Sequence, residues 1–357
     1  MTQTATAPRP LDEGRLNAFI GQGVADLGAA ISSCMILLGE RLGLYRALAQ
    51  GPLTTAALAQ ATATNERYVR EWCGNQAAGG YLAYDPASGA YALPPEQAFC
   101  LANPDSPVFL PGAYDVVAAT FHALERAERN FRSGEGMDWG EHHPCLFHGT
   151  EKFFRASYIG SLVSAWLPAL DGVIEKLTRG ARVADVGCGH GASTILMAAS
   201  FPRSTFIGFD AHAGSVAVAQ QRAATAGVGN ASFATARSTD FPGTYDLVTC
   251  FDCLHDMGDP VGAARHVRRA LAPGGTWMIV EPFANDRVED NLNPVGRVFY
   301  GASSMICVPA SLAHDGPALG AQAGEARLRQ VVVDGGGFTA FRRATQTPFN
   351  LVLEARA

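Results

Sequence analysis

Lysine is nearly missing from this 357-residue chain, in which Lys152 and Lys176 stand against 25 arginines. That skew carries no functional meaning by itself. Charge is sparse as a whole, at 17% of residues, and its balance is acidic, with a net charge of −6. A protein that grips nucleic acid through a basic surface is thereby disfavoured. Disorder is excluded as well, because disordered chains are poor in apolar residues, and here 48% are hydrophobic. The sequence has no internal repeat and no low-complexity tract. Residues 1–10 hold no apolar signal segment. The eight cysteines (34, 73, 100, 145, 188, 250, 253 and 307) are too dispersed for a disulfide-stapled secreted domain. A cytoplasmic protein with reduced thiols is expected. Residues 16–39 carry a single charge, Asp26. Glycines and polar residues dilute that stretch, so a buried or interface helix is expected there and no membrane span.

Three parts follow from the patterning. Residues 1–105 read as helices and a hairpin. Leu37, Leu38, Leu42, Tyr45 and Leu48 recur at helical spacing up to Gly51-Pro52. Short helices are predicted over 55–60 and 65–78, then strands over 81–84 and 90–93 around a turn at 85–89. That order describes a winged helix. Residues 106–180 are helical around a loop at 134–149, with a break at Pro168. Residues 181–357 alternate strands (183–186, 206–209, 232–234, 245–251, 276–281) with helices, and end in two strands over 338–344 and 349–353. An α/β fold follows, with a parallel sheet covered by helices on both faces.

The strongest local signal is Asp185-Val186-Gly187-Cys188-Gly189-His190-Gly191, between the first strand and its helix. Glycines there let the backbone turn sharply and let a ligand approach closely. Asp210 ends the next strand, where a carboxylate accepts hydrogen bonds from both hydroxyls of a ribose. Gly187, Gly189 and Ala192 also satisfy the dinucleotide pattern, so an NAD-dependent oxidoreductase is the competing reading. Asp185 favours S-adenosylmethionine, since it suits a cationic amino group and would repel a pyrophosphate.

Residues 183–191, Gly208-Phe209-Asp210, Tyr245-Asp246-Leu247-Val248 and Leu271-Ala272-Pro273-Gly274-Gly275 resemble the successive motifs of class I S-adenosylmethionine-dependent methyltransferases. With the winged helix in front, the chain is similar to bacterial small-molecule O-methyltransferases. The resemblance implies a Rossmann-like seven-stranded sheet and S-adenosylmethionine as cofactor, with S-adenosylhomocysteine as its product. It further implies a homodimer formed through residues 1–105, and a lid over the acceptor from 106–180. Cofactor contacts are implied for Asp185, Gly187, Cys188, Gly189, Gly191, Asp210, Ala211, Ala236, Phe251 and Asp252. His255, in Leu254-His255-Asp256, falls where such enzymes place a catalytic histidine, and Glu281 where they place an acid that orients it. An imidazole suits deprotonation of a hydroxyl during SN2 methyl transfer. The family's second orienting acid has no clean counterpart. Glu325 is near, but the count places that position at Ala323.

His148, Phe154, Tyr158, Arg297 and Tyr300 are expected at the acceptor, a small molecule. The loop 141–148 concentrates three histidines and Cys145, yet its spacing matches no familiar zinc pattern, and no metal is expected. Cys250 and Cys253, three apart on a strand, are expected to face opposite ways. Two further alternatives are an S- or N-methyltransferase that needs no general base, and a cofactor-sensing DNA-binding regulator. Against the regulator, residues 1–100 hold six arginines and eight acids.

Overall fold

The computed structural model describes residues 11–357, so the reading of residues 1–10 lies outside the described residues. The chain divides into two compact units, one ending at Asn103 and one beginning at Pro104.

The first unit opens with the helix Glu13–Arg41, capped by Asp12, whose side chain accepts from the Arg15 N–H at 2.9 Å. The periodicity predicted one helix running on to Leu48. Gly43, at φ 72°, breaks it, and Leu44–Leu48 forms a separate turn. The helices Thr55–Ala61 and Glu66–Ala78 follow, the second capped by Asn65. Strands β1 (Leu53–Thr54), β2 (Ala83–Asp85) and β3 (Ala90–Ala92) form a small antiparallel sheet in the order β1-β3-β2. The core of this unit gathers Leu44, Tyr45, Leu48, Leu58, Val69 and Trp72. Tyr45 meets Trp72 edge-on at 5.2 Å, and the Trp72 indole donates to the Met35 carbonyl at 2.8 Å. Leu16, Phe19, Ile20, Val24, Leu27 and Ile31 of the first helix are all exposed, so of the buried and interface alternatives it is not the buried one. Among the described residues it is one helix long and apolar enough to cross a membrane by length and composition alone.

The second unit starts with helices, among them Pro111–His122 and Cys145–Ser157. The last of these widens into a π-helix over Tyr158–Trp166, and a single turn, Leu167–Ala169, containing Pro168 ends it. Seven strands follow: β4 (Arg182–Val186), β5 (Thr205–Asp210), β6 (Ala231–Thr235), β7 (Tyr245–Phe251), β8 (Leu271–Pro282), β9 (Ala340–Gln346) and β10 (Asn350–Arg356). Their order is β6-β5-β4-β7-β8-β10-β9. The first five are parallel, and β10 runs antiparallel to both neighbours. β9 begins two residues later than its apolar run because Gly337, at φ 78°, turns the chain and Phe338 is buried in the core beside Trp277. Two apolar layers cover the sheet, one around Phe209, Phe241, Trp277 and Leu351, the other around Leu162, Trp166, Phe206 and Val280. Strand order reverses between β4 and β7. In open α/β sheets the crevice beyond the carboxyl ends at that point is where ligands bind.

Candidate active site

A cavity of about 950 Å³ opens at that crevice. Its floor is the turn after β4. Gly187 has φ 75°, and a Cβ there would stand 2.7 Å from Cys253 Sγ, so glycine is required twice over. Gly189, at φ 52°, aims its N–H at Asp210 Oδ2, 2.8 Å away. Asp210 Oδ1 accepts from the His212 N–H at 2.8 Å. The carboxylate is thus fixed by two backbone donors and keeps lone pairs for a ribose. Burial pushes its pKa up.

β7 ends in Asp252, which adopts φ 51°, sparsely populated for a residue with a Cβ. That turn carries Cys253 under the glycine turn, with its thiol 3.3 Å from the Val186 carbonyl. It also corrects the expectation for Cys250 and Cys253. Cys253 lies past the strand's end, strand alternation no longer applies, and the Cys250 thiol together with burial pushes the Cys253 thiol well up in pKa. Asp252 Oδ1 takes a hydrogen bond from Asn350, while Oδ2 is buried without a partner. Burial and the nearby Glu281 hold its pKa well above the usual carboxylate range. Asp256, also on the cavity, is pushed up to about 7 by burial, against the opposing pull of His255.

Most of the expected donor contacts line this cavity: Gly187, Cys188, Gly189, Asp210, Ala211, Ala236, Phe251 and Asp252. Gly191 lies off the lining, at φ 79°, where a Cβ would stand 2.8 Å from the Phe233 ring. Asp185 corrects a sharper expectation. Its oxygens accept from Thr249 at 2.9 Å and from Ser193 and Thr194 at 2.6 Å each, and it is buried away from the lining. The acid before the glycines therefore anchors the helix Ala192–Ser200. Seven carboxyls face the cavity, and Asp210, Asp252 and Asp256 are those at the carboxyl ends of β5 and β7.

His255 follows β7 in a short turn, Leu254–Asp256, and its Nδ1 lies 2.5 Å from Glu281 Oε2 near the end of β8. Glu281 Oε1 accepts from the Leu254 N–H at 2.9 Å, so the acid is held at both oxygens. Burial alone would lower the His255 pKa. The Glu281 carboxylate and a hydrogen bond with the Cys307 side chain outweigh it and hold the ring well above the ordinary histidine value. Ala323 is packed at the core edge and Glu325 is bound by Arg343 at 2.7 Å, so neither supplies a second orienting acid. Cys307 belongs in turn to an apolar cluster with Ala119, Leu146, Phe299 and Ile306.

Of the residues expected at the acceptor, Phe154 and Tyr158 line the cavity. His148 packs on His190 with ring centres 5.5 Å apart. Arg297 and Tyr300 lie off the lining on an exposed face of the helix Pro294–Ala302. Sequence reasoning missed Trp139, Phe147 and His314, which also line it. Phe147 stands 5.0 Å from His212, and His314 Nε2 lies 2.7 Å from Asp138. The aromatic spacing within 139–147 was a usable signal for the first two; nothing local marks His314. His190, inside the glycine turn, is lowered to about 4 by burial and by Arg222 nearby, so it is neutral.

The comparisons agree with this architecture. Residues 177–323 match the family described as a methyltransferase domain, and residues 29–103 the Rv2258c-like winged HTH domain. The ubiquinone biosynthesis O-methyltransferase of Paracidovorax citrulli is 34% identical over 104 residues, covering 28% of this chain and 42% of the relative. The chain spans about a quarter to a half of the length of the curated relatives it matches. The mitomycin 7-O-methyltransferase MmcR superposes with TM-score 0.69 at 20% identity over 96% of this chain and all of the other. Human N-acetylserotonin methyltransferase, solved with SAM, gives 0.67 at 16% identity over 99% and 100%. Behind an Rv2258c-like winged helix-turn-helix domain, the chain therefore carries a methyltransferase domain with the fold of the S-adenosylmethionine-dependent methyltransferases.

Proposed function

We propose that the protein methylates the hydroxyl of a small, largely apolar molecule, with S-adenosylmethionine as donor and His255 as general base oriented by Glu281. The observation that carries this reading is the buried His255–Glu281 pair at the carboxyl edge of β7 and β8, which lies behind the lining of the Asp210 cavity while its chain neighbours Cys253 and Asp256 face it. The residues present suit the donor. Gly187 leaves the space a Cβ would fill, Asp210 offers two fixed oxygens to a ribose, and Asp252 Oδ2 waits for a donor. When bound, the donor supplies an electrophilic methyl on a sulfonium. Glu281 fixes the His255 tautomer by accepting at Nδ1, so Nε2, the nitrogen left facing the Cys307 side chain, takes the acceptor's proton once the acceptor displaces that contact. The apolar cluster around Cys307 supports an apolar acceptor. A homodimer through the exposed face of the helix Glu13–Arg41, in the cytoplasm, completes the proposal.

The raised His255 pKa favours a second reading, a nitrogen or sulfur acceptor that needs no base. One experiment separates them. S-adenosylhomocysteine formation is followed with matched hydroxyl, amine and thiol acceptors, in the parent and in His255→Ala. Turnover of the hydroxyl set alone, lost in the variant, supports the first reading; amine or thiol turnover that survives it supports the second. Against a DNA-binding role, arginines on the helix Glu66–Ala78 are tied to acids, Arg67 to Glu71 and Arg70 to Glu66, which leaves little net charge for DNA phosphates.

A further inference from the structure

We propose that His122, His143 and Cys145 form a binding site for a zinc ion, separate from the donor cavity, which clips two distant segments together. One metal-binding atom from each residue lies within 4.8 Å of the other two. His122 is the last residue of the helix Pro111–His122, and His143 and Cys145 flank Pro144 where a later helix, Cys145–Ser157, begins. The two imidazoles lie face to face, centroids 3.9 Å apart and planes 8° from parallel. The Cys145 thiol lies 2.9 Å from His143 Nδ1, which also accepts from the Cys145 N–H at 3.2 Å.

Tetrahedral zinc, with bonds of ~2.0 Å to nitrogen and ~2.3 Å to sulfur, sets its ligand atoms roughly 3.3–3.6 Å apart. The present spacing brackets that value. A ring nitrogen binds a metal in the plane of its ring, and stacked parallel rings share no such point, so binding requires one exposed imidazole to rotate out of the stack and the His143–Cys145 contact to open by about half an ångström. The chemistry is selective. Two imidazoles and a thiolate suit a borderline-soft cation and not magnesium or calcium. The S–H bond breaks, its proton goes to water, and the sulfur's electron pair forms the bond to zinc, with no change of oxidation state. Both histidines are exposed and Cys145 is half-buried, so the ion enters from solvent and water completes its shell.

Motif spacing hid the site because its third ligand comes 21 residues before His143, from another helix. The clipped segment also carries Trp139 and Phe147, whose rings are 5.8 Å apart and which line the donor cavity. Zinc would therefore stiffen one wall of that cavity without touching the reacting groups.

The test uses tag-free, chelator-stripped full-length protein titrated with Co²⁺ as a spectroscopic stand-in. One Co²⁺ per chain is expected, with a thiolate-to-cobalt charge-transfer band that Zn²⁺ abolishes by displacement. Cys145→Ser should lose the band, and His122→Ala should bind at least about tenfold more weakly. Cys34→Ser, at an exposed cysteine elsewhere, should keep parent behaviour. Absence of the band in the parent overturns the proposal, as does its survival in Cys145→Ser. Parent-like affinity in His122→Ala overturns the three-ligand clip, because that variant alters only an exposed helix end and folds as the parent does.

Discussion

Nδ1 of His255 lies 2.5 Å from Oε2 of Glu281, and both side chains are at least 97% buried. A contact so far from solvent is weakly screened, and each partner's charge depends on the other. Glu281 cannot swing away, because its second oxygen holds the Leu254 N–H. The pair sets the pH behaviour of whatever chemistry occurs at this edge.

If His255 is the base, its working form is the neutral ring. The Glu281 carboxylate holds the pKa well above 6.5, so the kcat limb should rise at higher pH than an ordinary histidine gives. Glu281→Gln should move that limb down toward 6.5 and lower its plateau. His255→Ala should cut kcat by about 10²–10⁴ while leaving S-adenosylhomocysteine affinity unchanged. Steady-state kinetics across neutral and alkaline pH checks all three. A limb that stays in place in Glu281→Gln would remove the ion pair from the mechanism.

The same pair contributes to stability with a definite sign. The folded pKa is raised above 6.5, so its contribution is complete below 6.5 and is lost as pH rises through the raised value. Melting temperatures should fall on the alkaline side in the parent. In Glu281→Gln that alkaline fall should be smaller, from a lower starting point.

Much of this architecture was legible because it is written locally. Strand β7 matched its predicted limits because a run of apolar residues ends at Asp252, and the glycine turn announced the crevice. What stayed hidden depended on side-chain contacts and backbone turns that only the fold makes. Asp185 reads as a ligand for a cation until Ser193, Thr194 and Thr249 are seen to hold it from three sides. Cys253 reads as a strand residue until the positive φ of Asp252 turns it beneath Gly187. Cys307 gives no sequence sign of reaching His255, 52 residues earlier.

Gly187→Ala tests the floor of the cavity. The backbone strain at φ 75° should cost roughly 1–2 kcal/mol, and the new Cβ collides with Cys253 Sγ. Melting temperature and S-adenosylhomocysteine affinity should both drop. Adding Cys253→Ala removes the collision but not the strain, so partial recovery is expected. Full recovery in the double variant would show that strain at this position is negligible.

Asp256 predicts proton-coupled donor binding. Burial raises its pKa from 3.8 to about 7, so near neutrality it is partly protonated and the unliganded protein loses stability as pH climbs across that interval. A cationic donor stabilises the carboxylate, so S-adenosylmethionine binding should release protons and tighten as pH rises toward and past 7. S-adenosylhomocysteine, which lacks the sulfonium, should show a weaker dependence, and Asp256→Asn should flatten both. Calorimetry in buffers of different ionisation enthalpy reads the proton count directly. Equal pH dependence for the two ligands would mean that Asp256 does not sense the sulfonium.

The helix Glu13–Arg41 gives the last prediction. Leu16, Ile20, Val24, Leu27 and Ile31 follow one another at steps of four, four, three and four, so they form a single stripe along the helix. All are exposed, Leu27 at 66% and Ile31 at 65%. A stripe of this length is larger than the scattered apolar residues of ordinary surfaces and marks a contact face. The dimer proposed above would bury it against a second copy. Val24→Asp with Ile31→Asp should leave the fold intact, since neither side chain packs in the core, and should convert the dimer to monomer in sedimentation analysis. The helix also passes the length and composition test for a membrane span, so the same variants should be examined with lipid vesicles. Vesicle binding by the parent that the two aspartates abolish, with no change in sedimentation, would assign the stripe to a lipid surface and sink the dimer.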